Sequence, residues 1–268
     1  MAQRPRPRTV SALTEDLRRL GVRPGDLLMV HASLRAVGPV EGGADGVIDA
    51  LETAIGPEGS LLVNVGVLDD CAWVNERPES ERAALLEGSE SFDTRVAAAD
   101  PDNGVLAEVF RRRPQTLVSD HPEGRFGASG PLAEELIEQV PWHDYYGPNS
   151  PLERLVRADG RVLRLGADLE TMTLLHYAEY LACIPDKRRV RRHRLVAGAN
   201  GPELRVIECL DDCDGIVDYP EGDYFGLLLE DYLRTGRAIV GKVGGATSEL
   251  IEAVDIATFA TTWMEEHF

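Results

Sequence analysis

The chain has 268 residues, 43% of them hydrophobic and 28% charged, long enough for one large core or two fused lobes. With 28 Lys and Arg against 46 Asp and Glu, its formal net charge of -18 argues against nucleic acid and anionic membrane as partners, and long-range steering favours a cationic ligand. No apolar run approaches the roughly 18 residues of a membrane span, and MAQRPRPRTV lacks the apolar stretch of a signal peptide, so a cytoplasmic location is expected.

In chain order, a helix is expected over Ser11 to Leu20, stopped by Gly21, followed by the buried strand DLLMVHASL. A helix over Ala44 to Ile55 and the strand GSLLVNVG complete a β-α-β unit. Further helices are expected at Glu81 to Leu86, Val105 to Arg112, Leu132 to Gln139 and Pro151 to Arg157, with strands at Leu117 to Ser119, Arg161 to Gly166, Arg189 to Val196 and Leu204 to Leu210. Two or three helices, Tyr224 to Arg234, Thr247 to Ala253 and Asp255 to His267, are expected to close the chain. Pro and Gly are scattered and no repeat or low-complexity linker occurs, so the expectation is a single α/β domain over 1-268, a mixed central sheet flanked by helices with a smaller inserted or appended lobe.

Several motifs fail on spacing. GKVGG lacks the earlier glycine and the Ser/Thr of a P-loop, and LDDCDGIVDYPE puts Leu210 at the first calcium-ligand position. Cys71, Cys183, Cys209 and Cys213 form no CxxC pair and read as free thiols. The basic run KRRVRRHR, Lys187 to Arg194, reads as a solvated face or a holder of phosphate.

Three stretches carry chemistry. LLMVHASLRAVG ends an apolar strand in His31, Ala32, Ser33, Leu34 and Arg35, where small residues let backbone N–H groups approach phosphate oxygens. HPEGRFGASG, His121 to Gly130, is a second polar turn, read mainly as structural. LRLGADLETMTLLHYAEY runs from a strand through Asp168 and Glu170 into a helix bearing His176 beside the apolar positions Leu175, Ala178 and Ala182. His176 is then either a core histidine or a general base. Thr171 or Thr173 would cap that helix, and its dipole would keep the imidazole neutral.

Together these segments resemble the aminoglycoside 3-N-acetyltransferase family, as do IGPEGSLLV, SPLERL and VGGATSELIEAVDIATFATTWM, so that the resemblance covers nearly the whole chain. It implies the antibiotic N-acetyltransferase fold, distinct from the common GNAT fold, and transfer of acetyl from acetyl-CoA to the 3-amino group of 2-deoxystreptamine in aminoglycosides, conferring resistance. By resemblance His176 of the LLHxAE motif is the catalytic base, Glu170 its orienting carboxylate, and His31 lines the cleft. His31, Ala32, Ser33, Leu34 and Arg35 would cradle the coenzyme pyrophosphate. A C-terminal carboxylate is expected from Asp223, then Glu221, then Asp218.

A neutral histidine held by a carboxylate removes the proton that keeps an ammonium from attacking a thioester, and backbone N–H groups would stabilise the oxyanion. Direct transfer in a ternary complex is expected, with no metal and no acyl-cysteine. A polycationic substrate calls for acidic and aromatic lining, for which Asp69, Asp70, Asp102, Asn103, Asp144, Tyr145 and Tyr146 are candidates. The expected partners are this substrate and coenzyme A, in a monomer or homodimer. Other readings are an acetyltransferase for another small amine, a metal amidohydrolase using His31, His121 and His176, and a non-catalytic binder of cationic drugs.

Overall fold

The computed structural model describes residues 6–68, 71–220 and 222–268. Asp69, Asp70 and Glu221 lie outside the described residues. Helix α1 (Val10–Leu20) begins at an N-cap Thr9, whose side chain accepts from Ala12 N, and stops at Gly21, whose φ of 109° closes the helix in the left-handed region. Strand β1 (Leu27–Ala32) follows, then a single turn of helix, α2 (Leu34–Val37), α3 (Ala44–Ile55) and β2 (Ser60–Asn64). The β1–α3–β2 unit is parallel, as the sequence pattern predicts.

The chain continues through α4 (Glu79–Leu85), α5 (Gly104–Arg111), β3 (Leu117–Val118), β4 (Phe126–Ser129), α6 (Ala133–Ile137), α7 (Pro151–Arg157), β5 (Arg161–Leu165) and α8 (Leu175–Leu181). A hairpin, β6 (Arg189–Gly198) and β7 (Gly201–Leu210), precedes α9 (Tyr224–Arg234), β8 (Ile239–Val243), β9 (Ala246–Glu252) and α10 (Ala253–His267). The main sheet runs β3-β4-β2-β1-β5-β9-β8, with β2, β1 and β5 parallel and the outer strands antiparallel. The separate β6-β7 hairpin is the smaller lobe.

Alternation along the central strands sends apolar side chains to two cores. Leu28 and Val30 pack with α1, α3 and α5, whereas Leu27 and Met29 join the core formed with α6 through α10. His31 continues the second alternation at the carboxyl end of β1. Open α/β sheets bind ligands there, and Asn64 and Gly166 end β2 and β5 beside it. Gly166 is required where the chain leaves β5: its φ is +64°, and an added Cβ would lie 2.6 Å from Ala36 Cβ and 2.9 Å from Ala246 Cβ.

Several elements differ from expectation, among them strand β8 and the single-turn helix α2, which were not expected. Thr247 to Ala253 is not a helix: Ala246–Glu252 is strand β9, with burial alternating along ATSELIE, joined to β8 by the tight turn Gly244-Gly245. The segment FGAS, read as part of a turn, is the fully buried strand β4. The run Lys187 to Arg194 is a solvated face only in part, with Arg189 and Arg191 exposed. It enters β6, and Arg192 and Arg194 are buried against Asp212 and Glu123.

The HPEGRFGASG turn is a structural clamp. His121 Nδ1 accepts from Glu123 N at 3.0 Å and Gly124 N at 2.8 Å, while Nε2 donates to Trp142 O at 3.1 Å. Arg125 is fully buried and donates to four carbonyls: Ala97 at 2.7 Å, Thr94 at 2.8 Å, Ala98 at 3.0 Å and Gly66 at 3.4 Å. It pins the segment leading to Asp100–Asn103 onto the sheet. Arg125→Met would strand those carbonyls and should cost on the order of 3 kcal/mol, read as a lower urea midpoint; an unchanged midpoint would show the clamp to be idle.

Candidate active site

Helix α8 starts at Leu175 with Leu174 as its N-cap and no side-chain cap bond, so neither Thr171 nor Thr173 opens it. Its two-sidedness explains why a histidine stands there. Leu174, Leu175, Ala178 and Ala182 are buried, Leu181 is exposed, and His176 is half-buried on the border. One turn on, Glu179 is 1% exposed, and its Oε2 accepts from His176 Nδ1 at 2.8 Å. Tyr224, at the start of α9, donates its hydroxyl to the other oxygen, Oε1, and accepts from Ile216 N at 3.3 Å. Nδ1 is thereby the protonated nitrogen, and Nε2 is the one left for chemistry.

Burial alone would lower the His176 pKa, but the charge and hydrogen bond of Glu179, with smaller contributions from Asp212 and Asp223, reverse this and raise it above the ordinary histidine value. The expected dipole effect does not prevail, because a seven-residue helix end acts weakly beside a carboxylate in contact. Tyr146 stacks on the imidazole at 5.1 Å and 10°, and Phe225 packs at 4.8 Å.

His176 lines a cavity of about 670 Å³ with six carboxylates, Glu170, Glu179, Asp212, Asp214, Asp218 and Asp223, and no Lys or Arg among the described lining residues. Glu170 is exposed, and the carboxylate bonded to His176 is Glu179 instead. Asp223 caps α9, accepting from Phe225 N at 2.7 Å, and faces the cavity; Asp218 also lines it and pairs with Arg188. Asp212 was not anticipated. Although burial opposes ionisation, Arg192, then His176, hold its carboxyl below the ordinary value, and Tyr145 donates to it at 2.6 Å.

His31 belongs to a second cavity, of about 390 Å³, with Ala32, Ser33, Leu34, Arg35, Asp102, Asn103 and Asp168. Arg35 is the one Lys or Arg among its described lining residues. His31 is 7% exposed, Nε2 has no hydrogen-bond partner, and burial together with the Arg164 charge lowers its pKa to about 3, so the ring is neutral. Arg164 is buried, pairs with Glu249 at 3.1 Å, and donates to the carbonyls of Ala167, Asp168 and Thr171, shaping the loop between the cavities. The cavities meet at Asn64, Asn103 and Thr171, which line both.

The other predicted residues disperse. Asp144 sits outside both cavities and pairs with Arg189, and Tyr145 is buried behind Asp212. His31, His121 and His176 form no common ligand group: among the described residues, Asp211, Asp212 and Cys213 alone lie close enough together to hold a metal ion, and Arg192 already occupies Asp212. Cys183, Cys209 and Cys213 are free thiols. No helix among the described residues is long and apolar enough to cross a membrane. Glu179 was legible as the E of LLHYAE, three residues after the histidine; Asp212 lies in the LDDCDGIVDYPE segment that failed as a calcium loop, and Asn64 gave no local signal.

A family model described as aminoglycoside 3-N-acetyltransferase matches residues 29–265. Aminoglycoside N(3)-acetyltransferase VII of Streptomyces paromomycinus is 40% identical over 97% of this chain and 92% of its own. Aminoglycoside N(3)-acetyltransferase III of Serratia marcescens is 39% identical over 97% and 98%. Among solved structures, the AAC-IIIb binary complex with CoASH superposes with a TM-score of 0.91 at 39% identity, covering 97% of each chain. AAC-VIa bound to sisomicin superposes at 0.88 with 36% identity, covering 97% and 98%. With a family match over most of its length and relatives near 40% identity, the chain belongs to the aminoglycoside 3-N-acetyltransferase family.

Proposed function

We propose that the protein transfers the acetyl group of acetyl-CoA to the 3-amino group of the 2-deoxystreptamine ring of aminoglycosides, with His176 as general base in a ternary complex. The observation that carries this is the His176–Glu179 pair, set in a carboxylate-lined cavity that opens onto a second cavity bearing Arg35. The first suits a polycation, whose ammonium groups Glu170, Asp214 and Asp223 would hold. The second suits coenzyme A: the Ala32–Arg35 turn receives the pyrophosphate, with His31 as a neutral wall. AAC-VIa bound to sisomicin and AAC-IIIb bound to CoASH support the two assignments.

In the reaction, the substrate ammonium first sheds one proton to solvent, assisted by Nε2 of His176. The amine lone pair then forms the C–N bond, and the carbonyl π pair moves onto oxygen. Nε2 accepts the second amine proton, and Glu179 stabilises the resulting imidazolium without taking the Nδ1 proton. As C=O re-forms, the C–S bond breaks with its electron pair on sulfur, and the imidazolium protonates the thiolate. Tyr224, by donating to Glu179, holds the carboxylate in the orientation this requires.

His176→Ala and His176→Gln should fold and still bind aminoglycoside, yet lose roughly 10²-fold to 10⁴-fold in kcat, measured by release of coenzyme A thiol across an aminoglycoside panel. Full activity in either folded variant would exclude His176 as the base. A raised pKa means that the base form of His176 is lost as pH falls through that value, which sets the acid limb of kcat/KM. Glu179→Gln removes the charge that raises it most and leaves burial opposed only by the smaller effects of Asp212 and Asp223, so the limb should move to lower pH while the plateau falls. A limb that stays in place would remove Glu179 from the mechanism. Arg35→Ala should raise KM for acetyl-CoA more than for the antibiotic; equal KM values with wild type would reduce the turn to a structural feature.

A further inference from the structure

We infer that Asn64 is a catalytic residue whose side-chain amide donates to the thioester oxygen as negative charge develops there; this rests on the acetyl-transfer reading above. Acetyl must change partners where coenzyme and amine are both within bonding reach, and that place is the junction of the two cavities. Of the three residues lining both, Asn103 follows Asp102 in the segment before α5, and Thr171 lies in the loop whose carbonyls bind Arg164. Asn64 stands at the carboxyl end of a central strand, held by pairing with Phe126 on β4.

Its orientation follows from its neighbours. Gly66 N–H donates to Oδ1 at 3.1 Å, so the amide oxygen faces Gly66 and the NH2 group faces away. One of its hydrogens reaches Thr173 Oγ1 at 3.3 Å, and the other faces the Tyr146 hydroxyl, from which a ligand oxygen would take it over. Gly66 makes this turn possible with φ +62°; an added Cβ would lie 2.3 Å from Asn103 Nδ2 and 2.8 Å from Asp100 Cβ. Thr173 is three residues before His176, so oxyanion donor and base are tied to one segment. Such a donor is fixed before reaction and acts most strongly when the carbonyl π pair has moved onto oxygen. When C=O re-forms and the C–S pair departs on sulfur, the same hydrogen bond weakens and product leaves.

The test compares Asn64→Ala and Asn64→Asp with wild type, using acetyl-CoA and an aminoglycoside that wild type acetylates. Asn64→Ala should lose roughly 10²-fold to 10³-fold in kcat, with both KM values and the melting temperature near wild type. Its residual pH profile should superimpose on that of wild type, since His176 and Glu179 are untouched. Asn64→Asp keeps the acceptor for Gly66 but places an anion where the donor stood, so it should be slower still. If Asn64→Ala unfolds, Asn64→Asp with a wild-type melting temperature carries the comparison. A kcat within about fivefold of wild type in a folded variant overturns the inference. So does a shifted pH profile, which would mean that Asn64 acts through Thr173 on His176. Failure of the acetyl-transfer reading is separate: wild type would then release no thiol with any aminoglycoside.

Discussion

A carboxylate as buried as Glu179 is tolerated only with partners, and the arrangement of the site follows from supplying them. Helical spacing puts His176 one turn earlier on α8, and α9 brings in the Tyr224 hydroxyl from the far side. Each partner restricts another element: the imidazole tautomer is set, and Tyr224 is tied to α8, with Asp212 and Asp223 lining the same cavity. Tyr146 and Phe225 close around the ring, limiting its rotation. The base is thus charged or neutral according to Glu179, with the helix end a minor influence.

The net charge of -18 is not spread evenly in its effects. Two arginines of β6 are paired inside the fold, Arg192 with Asp212 and Arg194 with Glu123, while Arg191 pairs with Glu79 at the surface. With these cations paired around the rim and hairpin, Glu170, Asp214 and Asp223 are left around the large cavity, a distribution suited to ammonium groups. Arg35, by contrast, stands in the cavity at the β1 turn, where an anionic coenzyme would lie. Charge is thereby sorted between two adjoining clefts, and their junction at Asn64 is where the two ligands would meet.

Much of the frame was legible. Helix stops such as Gly21, the Ser150-Pro151 start of α7, and the apolar runs of β1, β2 and β5 are local signals, and these elements lie within a residue or two of expectation. Strand β9 was misread because ATSELIE mixes polar and apolar residues that only pairing with β5 and β8 sorts into faces. The buried arginines of β6 were misread because their partners Glu123 and Asp212 are distant in sequence. His176 and the β1 turn stood out by motif, whereas Glu170 was assigned by resemblance when the helix instead delivers Glu179. Asn64 and Asp212 depend on tertiary convergence that no short pattern records.

The central claim, that a buried carboxylate sets the protonation of the base, is most directly read by imidazole nitrogen NMR of the wild-type protein over a pH series, with His176→Gln providing the assignment. The account predicts that His176 titrates above the ordinary value of about 6.5 and carries its neutral-state proton on Nδ1, while His31 stays neutral down to about pH 3. A His176 that titrates at or below the ordinary value, or holds its proton on Nε2 when neutral, would contradict it.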